Sequence, residues 1–405
     1  MQVHETQTTS IEITRKPFKT ILGKLIEARW LWMSLLIFGV TRFGIGVVAY
    51  LGAPLIQDHA ETLYHLRPPD NTILDVLGSR WDTGFYVSIA EEGYKYEGVP
   101  LPSVAFFPLL PLLMRSLMSV GLDALIAGVL ITNTALLLAT MLFYRLVAME
   151  WGEPVADRAI WYFLIFPTSF FGSAIYSEAL FLLCAIGALY AARRGFWEIA
   201  GLLGFFAALS RFLGILVAPL LLVEWGLQRK TPLVQRPPLW ALLVPGFVPL
   251  GTAAYMTYLW RVFGDPLAFT HASEAWGRTA SSPWLMIQEL LARPEMGWGR
   301  ALAGGYLHLD NWMDFLFVLI FLVLGLALLL QKRWSEGVFV TLGALIPLFS
   351  GLLMSQRRYM WVLFPAFILL ARWGHRPWLD RFLTVLFLVG LSLFTTLFAN
   401  GYWVA

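Results

Sequence analysis

Five ionisable residues interrupt otherwise apolar stretches of this chain: Asp82, Glu178, Arg211, Arg357 and Arg358. Two types of chemistry follow from them. A carboxylate is a weak base toward an alcohol, and becomes useful once bond making has acidified the hydroxyl in the transition state. Arg211 and the Arg357–Arg358 pair supply guanidiniums that can hold a phosphate through charge-assisted bonds. A phosphate that departs as the leaving group is then already stabilised and needs no separate general acid. One base with one cationic clamp suffices for an inverting glycosyl transfer, and equally for other lipid-phosphate reactions. Ionisable groups among apolar helices are costly unless paired or wet, which marks them as functional by default. The plainer account is snorkelling at helix ends.

The elements that must position these groups can be read around them. SRWDTGFYVSIAEEGY, residues 79–94, scans as a short helix. Asp82, Tyr86, Ile89 and Ala90 share its face broadly, and Gly93 ends it. Asp82 therefore projects from a helix start, where countering the helix dipole is its ordinary role. Tyr176, Ser177 and Glu178 interrupt a second apolar run, and Ser210 with Arg211 a third. Each interruption reads as the turn between two short helices. Thr168–Ser173, after Pro167, either lines a wet cavity or kinks a helix.

The surrounding chain points to lipid as its solvent. Of 405 residues, 58% are hydrophobic and 14% charged, against roughly 25% charged in a soluble domain. Disorder, nucleic-acid binding and a disulfide-stapled secreted scaffold are poor readings, because the net charge is +3 and Cys184 is the single cysteine. Placing the basic clusters Arg193–Arg194, Arg229–Lys230–Arg236, Lys332–Arg333 and Arg372–Arg376 on the cytoplasmic side predicts about eleven crossings. Residues 1–30 form a cytoplasmic segment, followed by an all-α polytopic membrane domain over 31–405. Its first span, 31–51, reads as a signal-anchor or true span. Two extracytoplasmic loops, 52–121 and 264–312, complete the layout. Within 53–102, eight acids face three bases. FFPLLPLLMRSL, at 106–117, is expected as a short helix that does not cross.

Other motifs are weak. Nucleotide loops, HExxH and CxxC patterns are missing from the sequence. His59, His65, His271 and His308 are scattered, and surface or hydrogen-bonding roles fit them better than a metal site. Asp310 and Asp314 flank a helix start, where capping is the simpler account.

RWDTGFYVSIAEEGY, AFFPLLPLL, SAIYSEALF, SRFLG and QRRYMWVLFP follow one another in an order that resembles the family of GPI mannosyltransferase II (PIG-V type) and its prokaryotic relatives. These belong to the GT-C glycosyltransferase superfamily. The likeness runs from about residue 30 to 370. It implies a GT-C fold with short helices in the first external loop. It also implies a polyprenyl-phosphate-linked sugar donor, typically mannose, used at the extracytoplasmic face of a prokaryotic plasma membrane without metal or other cofactor. By the resemblance, Asp82 is the catalytic aspartate. Arg211, Arg357, Arg358 and Tyr359 lie at the donor phosphate and sugar. Arg80, Trp81, Tyr86, Tyr176 and Glu178 shape the sugar or acceptor pocket. Where the family often places a polar residue after its arginine, this chain has Phe212 and Leu213. The implied partners are membrane lipid, the polyprenyl-phosphate sugar and a lipid or glycan acceptor, with no nucleic acid.

Two rivals stand beside this reading. A secondary transporter or flippase would place its charges near the bilayer midplane in related halves, whereas these lie toward one face and no repeat is evident. A non-catalytic subunit of a glycosylation complex would be expected to lose the acid, yet Asp82 is present.

Overall fold

The computed structural model describes residues 28–56, 77–78, 80–230, 236–292 and 309–404. His59, His65 and His308 lie outside the described residues, as do residues 57–76 of the first expected loop and 293–308 of the second. All regular structure among the described residues is helical.

Among the described residues, six helices are long and apolar enough to cross a membrane. They are α1 (Arg29–Gly52), α4 (Ala124–Trp151), α8 (Val217–Lys230, with the turn from Phe212), α9 (Val244–Phe263, with the turn from Leu239), α12 (Leu309–Leu330) and α16 (Pro377–Ala399). At 24 residues, α1 reaches about 36 Å, enough for a hydrocarbon core of about 30 Å. Its lipid-facing side carries exposed Leu36, Val40 and Phe43. The sequence expected about eleven spans, and the remaining apolar segments are shorter: α5 (Glu153–Ile165), α6 (Glu178–Arg193), α7 (Trp197–Ser210), α13 (Trp334–Leu345), α14 (Gln356–Trp361) and α15 (Pro365–Trp373). Helix α5, with 13 residues, spans only about 20 Å.

The breaks between short helices have local causes. Phe166 leaves α5 with ψ 141° ahead of Pro167, which cannot continue the hydrogen-bond ladder. Backbone carbonyls left bare among apolar helices are costly. Arg42 on α1 satisfies two of them, donating to Leu164 O at 2.6 Å and Ser169 O at 2.9 Å. The break at Thr168–Ser173 is thus held from outside by an arginine. Helix α6 is buried along nearly its whole length and forms the centre of the bundle. Neighbours approach it closely: α4 turns Gly128 toward Ile175, just ahead of α6.

The two ends of the bundle differ. At one end, Arg193 contacts Glu150, Glu224 (3.3 Å) and Glu336 (3.0 Å), and Arg333 joins Glu150 and Glu336. This network ties the ends of α4, α6 and α8 to the start of α13. The opposite end carries a layer of short helices, α2 (Asp82–Glu92), α3 (Leu109–Met118), α10 (Ala268–Glu274) and α11 (Pro283–Leu291). Helix α3 has only ten residues, consistent with the expected non-crossing helix. Tyr255 on α9 donates to Val104 O at 2.8 Å, and Tyr96 donates to Asp265 at 2.9 Å. These bonds seat the first polar segment on the bundle.

Candidate active site

Helix α2 begins at Asp82, three residues later than the sequence stretch. The carboxylate does not cap its own helix. It accepts instead from Arg358 Nη1 at 2.7 Å, across 276 residues of chain. Trp81, just before it, has φ 55° and ψ −120°, a conformation that costs a non-glycine residue on the order of 1–3 kcal/mol. Ser355, just before α14, has φ 76°. Both arms of the Asp82–Arg358 pair therefore follow a strained residue, and the Asp82 N–H is further tied to Tyr176 Oη at 3.2 Å.

Glu178, 2% exposed, starts α6 and stands between two arginines. Its Oε1 lies 3.0 Å from Arg211 Nη1 and 3.3 Å from Arg358 Nε. Neither contact has hydrogen-bond alignment, and Arg211 Nη1, Arg358 Nε and Glu178 Oε2 lack a hydrogen-bond partner among the described residues. The quartet is balanced in charge but keeps unspent donors. Arg211 reaches it because α7 stops at Ser210 and the chain extends at Arg211 before the Phe212–Leu216 turn. Gly214 permits that turn, since a Cβ there would meet Ala207 O at 2.0 Å.

These groups line a cavity of about 730 Å³ at the end carrying the short helices. Trp81, Asp82, Tyr86, Tyr176, Glu178, Arg211, Arg358 and Tyr359 all face it. Two expected residues do not. Arg80 is buried at 4% exposure and is not part of the lining. Arg357 turns away from its neighbour and is 1% exposed. Its Nε donates to Asp314 at 2.9 Å, its N–H to the same carboxylate at 2.8 Å, and its Nη2 to Asp310 at 3.1 Å. This corrects two expectations together: Arg357 is an anchor of α14 on α12 rather than a cavity cation, and the two aspartates serve that anchor rather than a cap.

Three lining residues gave no signal in the sequence reading. Arg278 places its guanidinium 5.6 Å from the Tyr359 ring centre. Trp276 packs edge-on against Phe85 at 4.9 Å, and Trp403 meets Trp81 at 5.0 Å. The Tyr359 ring also receives Arg211 at 5.2 Å and Arg358 at 5.4 Å. His271 contacts Asp265 at 2.7 Å, away from the quartet. Among the described residues, no group of three acids, histidines or cysteines could hold a metal.

An acid at hydrogen-bond distance from a guanidinium, beside an aromatic wall and an apolar bundle, can accept a proton while the arginines hold an anion. Part of the chain is similar to known proteins. Residues 58–226 match the family model described as mannosyltransferase (PIG-V). GPI mannosyltransferase 2 of Chaetomium globosum is 31% identical over 201 residues, 44% of this chain and 41% of that protein. GPI alpha-1,6-mannosyltransferase 2 of Mus musculus is 32% identical over 161 residues, 36% of this chain and 31% of that protein. The matches thus span less than half of these relatives. Among solved structures, the apo oligosaccharyltransferase of Archaeoglobus fulgidus superimposes loosely, with TM-score 0.42 and 14% identity over 92% of this chain and 56% of that one.

Proposed function

We propose that this chain, which is similar to the PIG-V mannosyltransferases over less than half of its length, is an inverting hexosyltransferase of the GT-C superfamily. It moves a sugar, mannose foremost, from a polyprenyl-phosphate donor to a hydroxyl of a lipid-linked or glycan acceptor. The observation that carries this reading is the meeting of Asp82, Glu178, Arg211 and Arg358 at one cavity at one end of an apolar bundle. A prenyl phosphate arrives at that depth with its tail in lipid and its phosphate at the interface.

In the proposed reaction, the acceptor oxygen attacks the anomeric carbon and its proton passes to Asp82. The bond between that carbon and the phosphate oxygen breaks, and the electron pair leaves on the prenyl phosphate. Arg358 and Arg211 hold that charge as it develops. Asp82 is paired with Arg358 in the free protein, so an arriving phosphate takes over part of Arg358 and releases a carboxylate lone pair for the hydroxyl. Tyr86, Tyr176 and Trp81 give the sugar a wall of rings and hydroxyls.

The short helices α5, α6, α7 and α13, together with α14–α15, bring the six long ones to eleven passes. The basic clusters then fall at the end opposite the cavity, which puts the cavity on the extracytoplasmic side. The test is transfer by the purified protein in lipid nanodiscs, with a panel of hydroxyl acceptors. Prenyl-phosphate mannose should serve as donor and a nucleotide-linked mannose should not. Transfer from the nucleotide sugar alone, or movement of the lipid across the bilayer without transfer, contradicts the proposal.

A further inference from the structure

The cavity holds three guanidiniums, and they are not equivalent. Arg358 is paired with Asp82 and Glu178, and Arg211 with Glu178. Arg278 has no carboxylate within ion-pair distance among the described residues. It lies just beyond Gly277, whose φ of 71° turns the chain after α10. Its one side-chain hydrogen bond among the described residues, from Nη2 to Met354 O, is long at 3.4 Å. Among the described residues, the charges lining the cavity are Asp82 and Glu178 against Arg211, Arg278 and Arg358, which leaves one positive charge over. That surplus sits at Arg278, the half-buried member.

We infer that Arg278 is the docking cation for the donor: a specificity-determining residue that takes the phosphate of a lipid-linked sugar phosphodiester. This inference rests on the donor reading above. A sugar phosphodiester carries one negative charge, which matches the single unneutralised guanidinium. Arg278 and the two paired arginines all lie over the Tyr359 ring, at 5.6, 5.2 and 5.4 Å. A phosphate held by Arg278 is therefore beside the unspent Nη1 of Arg211 and Nε of Arg358. Binding neutralises the surplus first. Exchange with the quartet follows, and that exchange frees Asp82. Phe106 and Trp276 leave an aromatic wall, 5.7 Å apart, on the side of Arg278 where the sugar or the first prenyl unit can lie.

The test is equilibrium binding to the full chain in nanodiscs, without acceptor, using a short-chain prenyl-phosphate mannose and, separately, inorganic phosphate. Loss of one charge-assisted contact should raise Kd about tenfold or more in Arg278→Ala. Arg278→Lys should recover part of it, keeping the charge but not the fork. Both variants should unfold close to the wild-type temperature, because the half-buried side chain makes one long hydrogen bond and no ion pair among the described residues. A wild-type Kd in Arg278→Ala, with the donor still bound, overturns the docking role and leaves the donor reading standing. Failure of the wild type to bind the donor overturns both. Inorganic phosphate bound as tightly as the donor overturns the lipid-linked class.

Discussion

Arg358 donates to Asp82 and lies beside Glu178, so removing its guanidinium strands two acids as well as the proposed phosphate contact. Arg358→Ala is expected to raise the KM for donor by about ten- to a hundredfold, the value of one charged hydrogen bond, while the KM for acceptor moves little. Steady-state kinetics with each substrate varied in turn decide this, and equal effects on both would remove Arg358 from the clamp. At this scale, the readable residues were those that pay a penalty. Asp82, Glu178, Arg211 and Arg358 stood out because each charge breaks an apolar run. Arg278 did not, because a charge in a polar segment costs nothing and leaves no trace in the pattern. Arg357 was indistinguishable from Arg358 for a geometric reason. Adjacent helical residues differ in direction by about 100°, and the sequence does not say which of Arg357, Arg358 and Tyr359 fall on the cavity side; the structure turns Arg358 and Tyr359 to it and Arg357 away.

At the scale of elements, the turn between α5 and α6 matters most, since it delivers Tyr176 and Glu178. Its carbonyls are held by Arg42, which sits mid-way along a lipid-facing helix. Arg42→Leu removes both bonds; Leu164 O still accepts from Ser169 Oγ at 2.6 Å, so the change is expected to cost on the order of 1–3 kcal/mol. A thermal unfolding series should show a clear drop in midpoint, with Arg42→Lys intermediate because one ammonium is a point charge rather than a two-pronged donor. An unchanged midpoint would mean that other groups hold the turn. Some helix stops were legible, because Pro167 and Gly264 break the pattern where the chain turns. The support from Arg42 was not, since it joins residues more than 120 positions apart.

Across the whole molecule, the alternation of helix ends gathers the cavity at one face and the Arg193–Glu336 network at the other. The proposed eleven passes place the two faces of the bundle on opposite sides of the membrane, and that placement can be tested. Cys184 is buried and is the chain's single cysteine, so Cys184→Ala gives a clean background for labelling. On that background, Glu97→Cys should react with an impermeant thiol reagent added outside intact cells, and Glu198→Cys only after permeabilisation. Both positions are exposed in the structure. The reverse pattern would put the cavity in the cytoplasm. The overall class was legible from hydropathy alone. The number of passes was harder to fix, because a 13-residue helix such as α5 carries too little apolar length to be told from a buried stub.

The central claim is that Asp82 accepts the acceptor's proton while the arginines hold the donor. Asp82→Asn keeps the shape and a hydrogen-bond acceptor for Arg358 but removes the base. Measured side by side on one preparation, the variant should bind prenyl-phosphate mannose with a Kd near that of the wild type and transfer it at least about a hundredfold more slowly. Transfer at the wild-type rate by Asp82→Asn would contradict the account.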